Sequence, residues 1–261
     1  MPIMEIEPQA TPGLEPASAP PQIPAEEKQL LAPAWHTVLI ISLILANSLL
    51  GSAKATGAAR IGSRLILYSG TFIFELILFL LIWFWIRKAG VSVRQLIGGR
   101  WDSPEDFLLD LAIGVGFFFA AAFAIAALRI ALGTLDVTHM GKQIDELKRT
   151  LGPLIPRSTL EAGCFVALSI FAGLFEEFIF RGYLQTQLGA LFRNTYAGII
   201  GSAVLFGAAH GYQGGRMMFA IGVYGALFGL LAHFRKSLRP GMMAHAIQDA
   251  YSGLALFFLV R

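Results

Sequence analysis

Long apolar runs, separated by short charged or proline-rich stretches, set the pattern of this chain. Seven runs qualify as helical spans: about residues 34–52, 65–86, 107–132, 160–180, 195–210, 217–233 and 241–259. Several reach the roughly 20 residues that carry a helix across hydrocarbon. Backbone polar groups in lipid must be satisfied within their own segment, and the runs are too long and uninterrupted for barrel strands. The expected fold class is therefore all-α, a polytopic transmembrane helical bundle of about seven spans.

The polar stretches divide the rest. Residues 1–33 hold eight of the twelve prolines and no apolar period, which predicts a disordered tail ahead of a membrane-embedded helical domain over 34–261. The tail lacks the basic start and short apolar core of a secretory signal. Within 133–157, Ile144, Leu147 and Leu151 share one helical face, which predicts a short helix lying on the membrane surface. Trp83, Trp85, Arg87 and Lys88 close the second span as an interfacial anchor.

Composition sharpens this. Hydrophobic residues make up 56% of the 261 positions and charged residues only 14%, against about 25% charged in a soluble domain. Such a chain needs the lipid bilayer as its solvent. The net charge of +3 splits into −4 over residues 1–33 and +7 over the remainder. That excess suits loops facing anionic headgroups. No nucleic-acid partner is expected, because the bases are spread over many loops and form no patch. The single cysteine, Cys164, allows no disulfide within the chain and reads as a small buried hydrophobe.

Ionisable residues inside apolar helices carry the chemistry. Each costs about 2.5–3.5 kcal/mol on insertion scales, and such a residue normally faces the bundle interior and has a partner. The fourth span ends LFEEFIFRGYLQ. Glu177 and Arg181 lie one turn apart and can pair at the mouth of the helix, where Arg181 reaches water. Glu176, about 100° round the helix, is left to point elsewhere. The fifth span ends at His210, on the face of Phe206. The seventh carries His245 and Asp249, again one turn apart, so that Asp249 can orient the imidazole. One carboxylate and two imidazoles from separate helices are a working set for hydrolysis. The acid deprotonates water, and the imidazoles hold an oxyanion, a metal or a leaving group. The other intramembrane polar residues read as structural. Glu75 would hydrogen-bond to a neighbouring helix, Arg129 snorkels, His36 and His139 sit in or near loops, and His233 is interfacial. Gly225 and Gly229 predict close helix packing.

In this order, Glu176-Glu177-Phe-Ile-Phe-Arg181, Phe206-Gly-Ala-Ala-His210 and His245-Ala-Ile-Gln-Asp249 resemble the EExxxR, FxxxH and Hxxx(N/D) motifs of the CAAX protease and bacteriocin-processing (CPBP, Abi) group of intramembrane proteases. The resemblance covers about residues 160–258. It implies that Glu176 activates water and that Glu177 and Arg181 support it. It further implies that His210 stands beside that water, and that His245 and Asp249 stabilise the oxyanion. Members of the eukaryotic and archaeal branch most often carry Asn where Asp249 stands; the extra negative charge here departs from a simple oxyanion donor and favours a metal or an ion-paired histidine. The resemblance leaves two options for the cofactor: zinc held by Glu176, His210 and His245, or a metal-free glutamate mechanism. No HExxH is present.

The expected function is an intramembrane endopeptidase acting on a peptide or protein substrate near the membrane, in a prokaryotic cell membrane. General proteolysis is expected ahead of prenyl-protein processing. The alternatives are a non-catalytic immunity or scaffold protein of the same fold, and a proton-coupled transporter. Against the transporter stands the lack of an inverted repeat or paired broken helices.

Overall fold

The computed structural model describes residues 30–61, 64–135 and 137–260, and among these every regular element is helical. The predicted tail falls almost entirely on residues 1–29, outside the described residues. Its last residues, 30–33, bend into the start of the first helix and have a fixed place. Gln187, itself fully buried, accepts from the backbone N–H of Leu31 at 2.8 Å and donates to the carbonyl of Ala32 at 2.6 Å.

Each expected span is a helix: α1 (Ala34–Ile61), α2 (Arg64–Lys88), α4 (Pro104–Ala131), α6 (Thr159–Glu177), α8 (Thr195–Ala209), α9 (Gly215–Arg235) and α10 (Arg239–Val260). Short helices α3 (Val93–Ile97) and α5 (Met140–Leu151) fill the two long connections, and α7 (Gln185–Leu191) extends α6. Local sequence sets the starts. Ser103 and Ser158 cap α4 and α6 by accepting from Asp106 N–H and Glu161 N–H, and Asn194 caps α8.

Among the described residues, five of these helices are long and apolar enough to span a bilayer, which leaves the expected count of about seven unconfirmed: Ala34–Gly51, Arg64–Lys88, Pro104–Ala131, Thr159–Leu191 and Gly215–Arg235. α8 has only 15 residues, about 22 Å of rise against roughly 30 Å of hydrocarbon. In α10 the run is broken by His245, Gln248 and Asp249. The outer faces are apolar and exposed: Leu49 (82%), Phe123 (77%) and Val204 (63%) point away from the bundle, as lipid-facing residues do.

α6 and α10 form the centre. α2 packs on one side of α6, α4 on α10, and α8 pairs with α9, while α1 leans on α2 and α8. Small residues permit these approaches. A Cβ on Gly173 of α6 would lie 2.8 Å from the Met242 carbonyl oxygen and Ala246 nitrogen of α10. Gly225 and Gly229 take the predicted role, facing Phe206 and Ile199 of α8. At one end of the bundle, fully buried Asp110 of α4 accepts from Arg235 (2.9 Å) and the indole N–H of Trp101 (2.8 Å), and it forms an ion pair with Arg239 (2.9 Å). This clasp fixes the ends of α4, α9 and α10 together.

Candidate active site

α6 does not end at the motif. Its last α-helical residue, Glu177, runs directly into a π-helical turn, Phe178–Leu184, and on into α7. The widened turn is closed by the Gln185 N–H donating to the Phe180 carbonyl, which also accepts from Ser202 Oγ at 2.7 Å. Such turns disturb the side-chain register of a helix and recur at functional sites. The whole rod spans Thr159–Leu191. Arg181 therefore lies deep within it, 3% exposed. The expectation that it reaches water at a helix mouth is corrected.

Arg181 is instead the foundation of the site. Its guanidinium sits 4.3 Å from the ring of Phe206 and 5.0 Å from that of Phe228, between two aromatic faces. Nη2 donates to the Gly225 carbonyl at 3.2 Å. Nη1 lies 3.0 Å from Glu177 Oε1, with both side chains 1% exposed; the contact is an ion pair rather than an aligned hydrogen bond. The predicted pairing one turn apart is thus present, but buried.

Glu177 in turn sets His245. Glu177 Oε1 accepts from His245 Nδ1 at 2.9 Å. This corrects the expectation that Asp249 orients the ring, since Asp249 Oδ2 stands 3.7 Å from Nε2. With Nδ1 committed, His245 Nε2 faces Glu176 Oε2 at 3.6 Å and Asp249 at 3.7 Å, both beyond hydrogen-bond reach. Glu176 and Asp249 form the open side, with side chains 19% and 36% exposed, whereas Glu177 and His245 are sealed. Glu176 is, as its helical phase predicts, the acid not bound to Arg181.

His210 caps the end of α8. Its Nδ1 donates to the Phe206 carbonyl at 2.9 Å, which leaves Nε2 clear of that bond. Phe206 joins the parts: its ring centroid is 5.0 Å from that of His210 and 5.9 Å from that of His245. Tyr212, in the connection after α8, stacks on His210 at 6.2 Å. Burial pushes its phenol up to about 12, so it remains a hydroxyl at neutral pH.

Two expectations for other residues, Cys164 and Glu75, change. His36 stands near the start of the first span, as expected, and takes a buried partner. It is 1% exposed within α1, hydrogen-bonded to Tyr183 Oη at 2.8 Å. Cys164 is half-buried rather than buried. Glu75 of α2, expected to find a partner on a neighbouring helix, has Oε2 buried and unpartnered, and the charges around its carboxyl include Glu176, His245 and Asp249. Its isolation as the one acid of an apolar span is a signal the sequence does carry.

Among the described residues, no group of three or more His, Cys, Asp and Glu side chains could hold an ion. Glu176, His210 and His245, which the resemblance offers as zinc ligands, are not grouped in that way. One of the two His245 ring nitrogens is already bound to Glu177.

Residues 158–251 match the family model described as Type II CAAX prenyl endopeptidase Rce1-like. Comparisons with curated proteins and with solved structures gave no match. The matched stretch opens at Ser158, the cap of α6, and closes two residues beyond Asp249. It therefore holds all three motifs, and it leaves out α1, α2 and α4. The five apolar helices and the matched segment together make this a membrane-embedded protein. Over residues 158–251 the chain is similar to the Rce1-like family of type II CAAX prenyl endopeptidases.

Proposed function

We propose that this protein is an intramembrane endopeptidase in which Glu176 activates water, without a required metal, to hydrolyse a peptide bond at the membrane. The observation that carries the reading is a partly open carboxylate, Glu176, facing His245 Nε2 at 3.6 Å while Glu177 and Arg181 lock the far side of the same imidazole. A base beside a pre-set hydrogen-bonding ring is what amide hydrolysis requires.

In this reading Glu176 takes a proton from water as the water oxygen bonds to the scissile carbonyl carbon. The carbonyl π electrons become an oxyanion. His245 faces carboxylates from both ring nitrogens, which suits a ring carrying both protons, and it presents Nε2–H to that oxyanion. His210 offers Nε2 as an acceptor to the attacking water. Collapse of the intermediate breaks the C–N bond, and the proton held by Glu176 passes to the leaving amine. Asp249 keeps negative charge beside His245. The absence of a three-ligand group among the described residues supports the metal-free option.

The description of the matched family makes a prenylated peptide ending in a CAAX sequence the first substrate to try. Incubated with the detergent-solubilised full chain, it should be cut by the wild type. Glu176→Ala and His210→Ala should abolish cleavage while keeping the wild-type melting profile. Full proteolysis by both variants would overturn the assignment.

A further inference from the structure

α2 lies outside the family match, yet it brings a carboxyl group to the site. Phe72 and Phe79 are two turns apart on one face of α2, and both contact Phe175 of α6, at 6.0 and 5.4 Å. Phe79 also meets Phe178, at 5.0 Å. These aromatic contacts bracket Glu176 and Glu177 on α6. On α2 they bracket Glu75, which lies one turn from each phenylalanine and therefore on the same face. Phe72 also meets Phe171 at 5.0 Å, so rings close the seam above and below Glu75, on the stretch of α6 between Phe171 and Phe178 that carries Glu176. The charges its carboxyl meets agree with this placement: Glu176 of α6 and His245 and Asp249 of α10. Tyr212, beyond α8, has Glu75, Glu176 and Asp249 within electrostatic range.

The two acids share a further property. Glu75 Oε2 and Glu176 Oε2 are both buried, and neither has a hydrogen-bond partner among the described residues. Leaving a charged or polar atom unpaired inside a protein is costly, and a pair of such atoms on one stretch of a seam is the setting in which a bound water is retained. No hydrogen bond joins these two oxygens directly, so a water between them satisfies both.

We propose that Glu75 is a positioning residue of the active site, holding Glu176 through a water that bridges the two Oε2 atoms. The bridge fixes the Glu176 side chain so that its other oxygen is aimed at the attacking water. The water only donates to the two carboxyls; no bond to oxygen or carbon is made or broken at Glu75. This role rests on the peptidase reading, and it adds an element from the half of the chain that carries no family motif.

The test uses the full chain in detergent with the same prenylated CAAX peptide, and compares Glu75→Leu, Glu75→Gln and wild type. Leucine has no group to hold the water. Misplacing a catalytic group by about 1 Å can cost about 100-fold, so Glu75→Leu should lose kcat to about that extent with KM unchanged. Its melting temperature should stay at or above that of the wild type, because an unpaired buried carboxyl has been removed. Glutamine keeps a hydrogen-bonding oxygen at the same position, so Glu75→Gln should recover most of kcat. A Glu75→Leu variant with wild-type kcat, or a loss of kcat that Glu75→Gln does not relieve, would overturn the proposal. Either result leaves the peptidase reading in place as long as the wild type cleaves and Glu176→Ala does not. A wild type that cleaves nothing would remove both.

Discussion

Replacing Arg181 by methionine tests how the site is held together. The substitution removes the guanidinium paired with Glu177 and leaves a carboxylate that is 1% exposed. Removing one partner of a buried ion pair costs about 3–5 kcal/mol. The methionine thioether fits between Phe206 and Phe228 and restores part of the lost ring contact, worth about 1 kcal/mol. The single variant should therefore lose about 3 kcal/mol, read as a shift in chemical or thermal unfolding in detergent micelles followed by tryptophan fluorescence. Glu177→Gln strands the opposite charge and should cost a similar amount. The double variant Glu177→Gln/Arg181→Met carries neither charge, and the introduced amide oxygen still accepts from His245 Nδ1. It should lose no more than either single variant, about 3 kcal/mol rather than the roughly 6 of their sum, which gives a coupling of about 3 kcal/mol in the double-mutant cycle. Strictly additive losses would show that the two groups do not meet in the folded protein. The account of how His245 is oriented would then fail with them.

Other expectations follow from single contacts. Gly173→Ala puts a Cβ 2.8 Å from two backbone atoms of α10. It should separate α6 from α10, destabilise by about 1–3 kcal/mol, and lower cleavage by moving His245 off Glu177; a variant with unchanged melting and rate would contradict the packing. Gln187→Leu strands three backbone groups, the N–H groups of Leu31 and Ala32 and the Ala32 carbonyl, at about 1–3 kcal/mol each, and should speed proteolytic cutting near residue 31 in limited digestion. Treatment with EDTA or 1,10-phenanthroline should leave cleavage at the wild-type rate. A loss restored by added Zn²⁺ would replace the metal-free mechanism with a metal-dependent one.

The site was legible where chemistry depends on spacing within one helix, and illegible where it depends on what another helix brings. Glu177 and Arg181 pair because they are one turn apart, and Glu176 is free of Arg181 for the same reason. The depth of Arg181 was hidden because FIFRGYLQTQLGAL reads as the polar end of an apolar run. The π-helical turn and α7 carry the rod on to Leu191 instead. There Gln185 and Gln187, polar by sequence, are buried against the Gly229 carbonyl and the Leu31–Ala32 backbone. The orientation of His245 was assigned to Asp249, its neighbour in sequence, whereas Glu177 from 68 positions away provides it. Glu75 and Asp110 teach the same lesson in two forms. Each is a buried acid in an apolar helix with no countercharge within a turn. Asp110 is held by two arginines and a tryptophan from other segments; Glu75 Oε2 has no partner among the described residues, and its carboxyl lies within electrostatic range of Glu176. The insertion cost says only that such a residue must meet something across the bundle. Where that something is a cation, the acid is a clasp. Where it is another unpaired carboxyl, packing is a poor explanation, and a role in the chemistry becomes the better one.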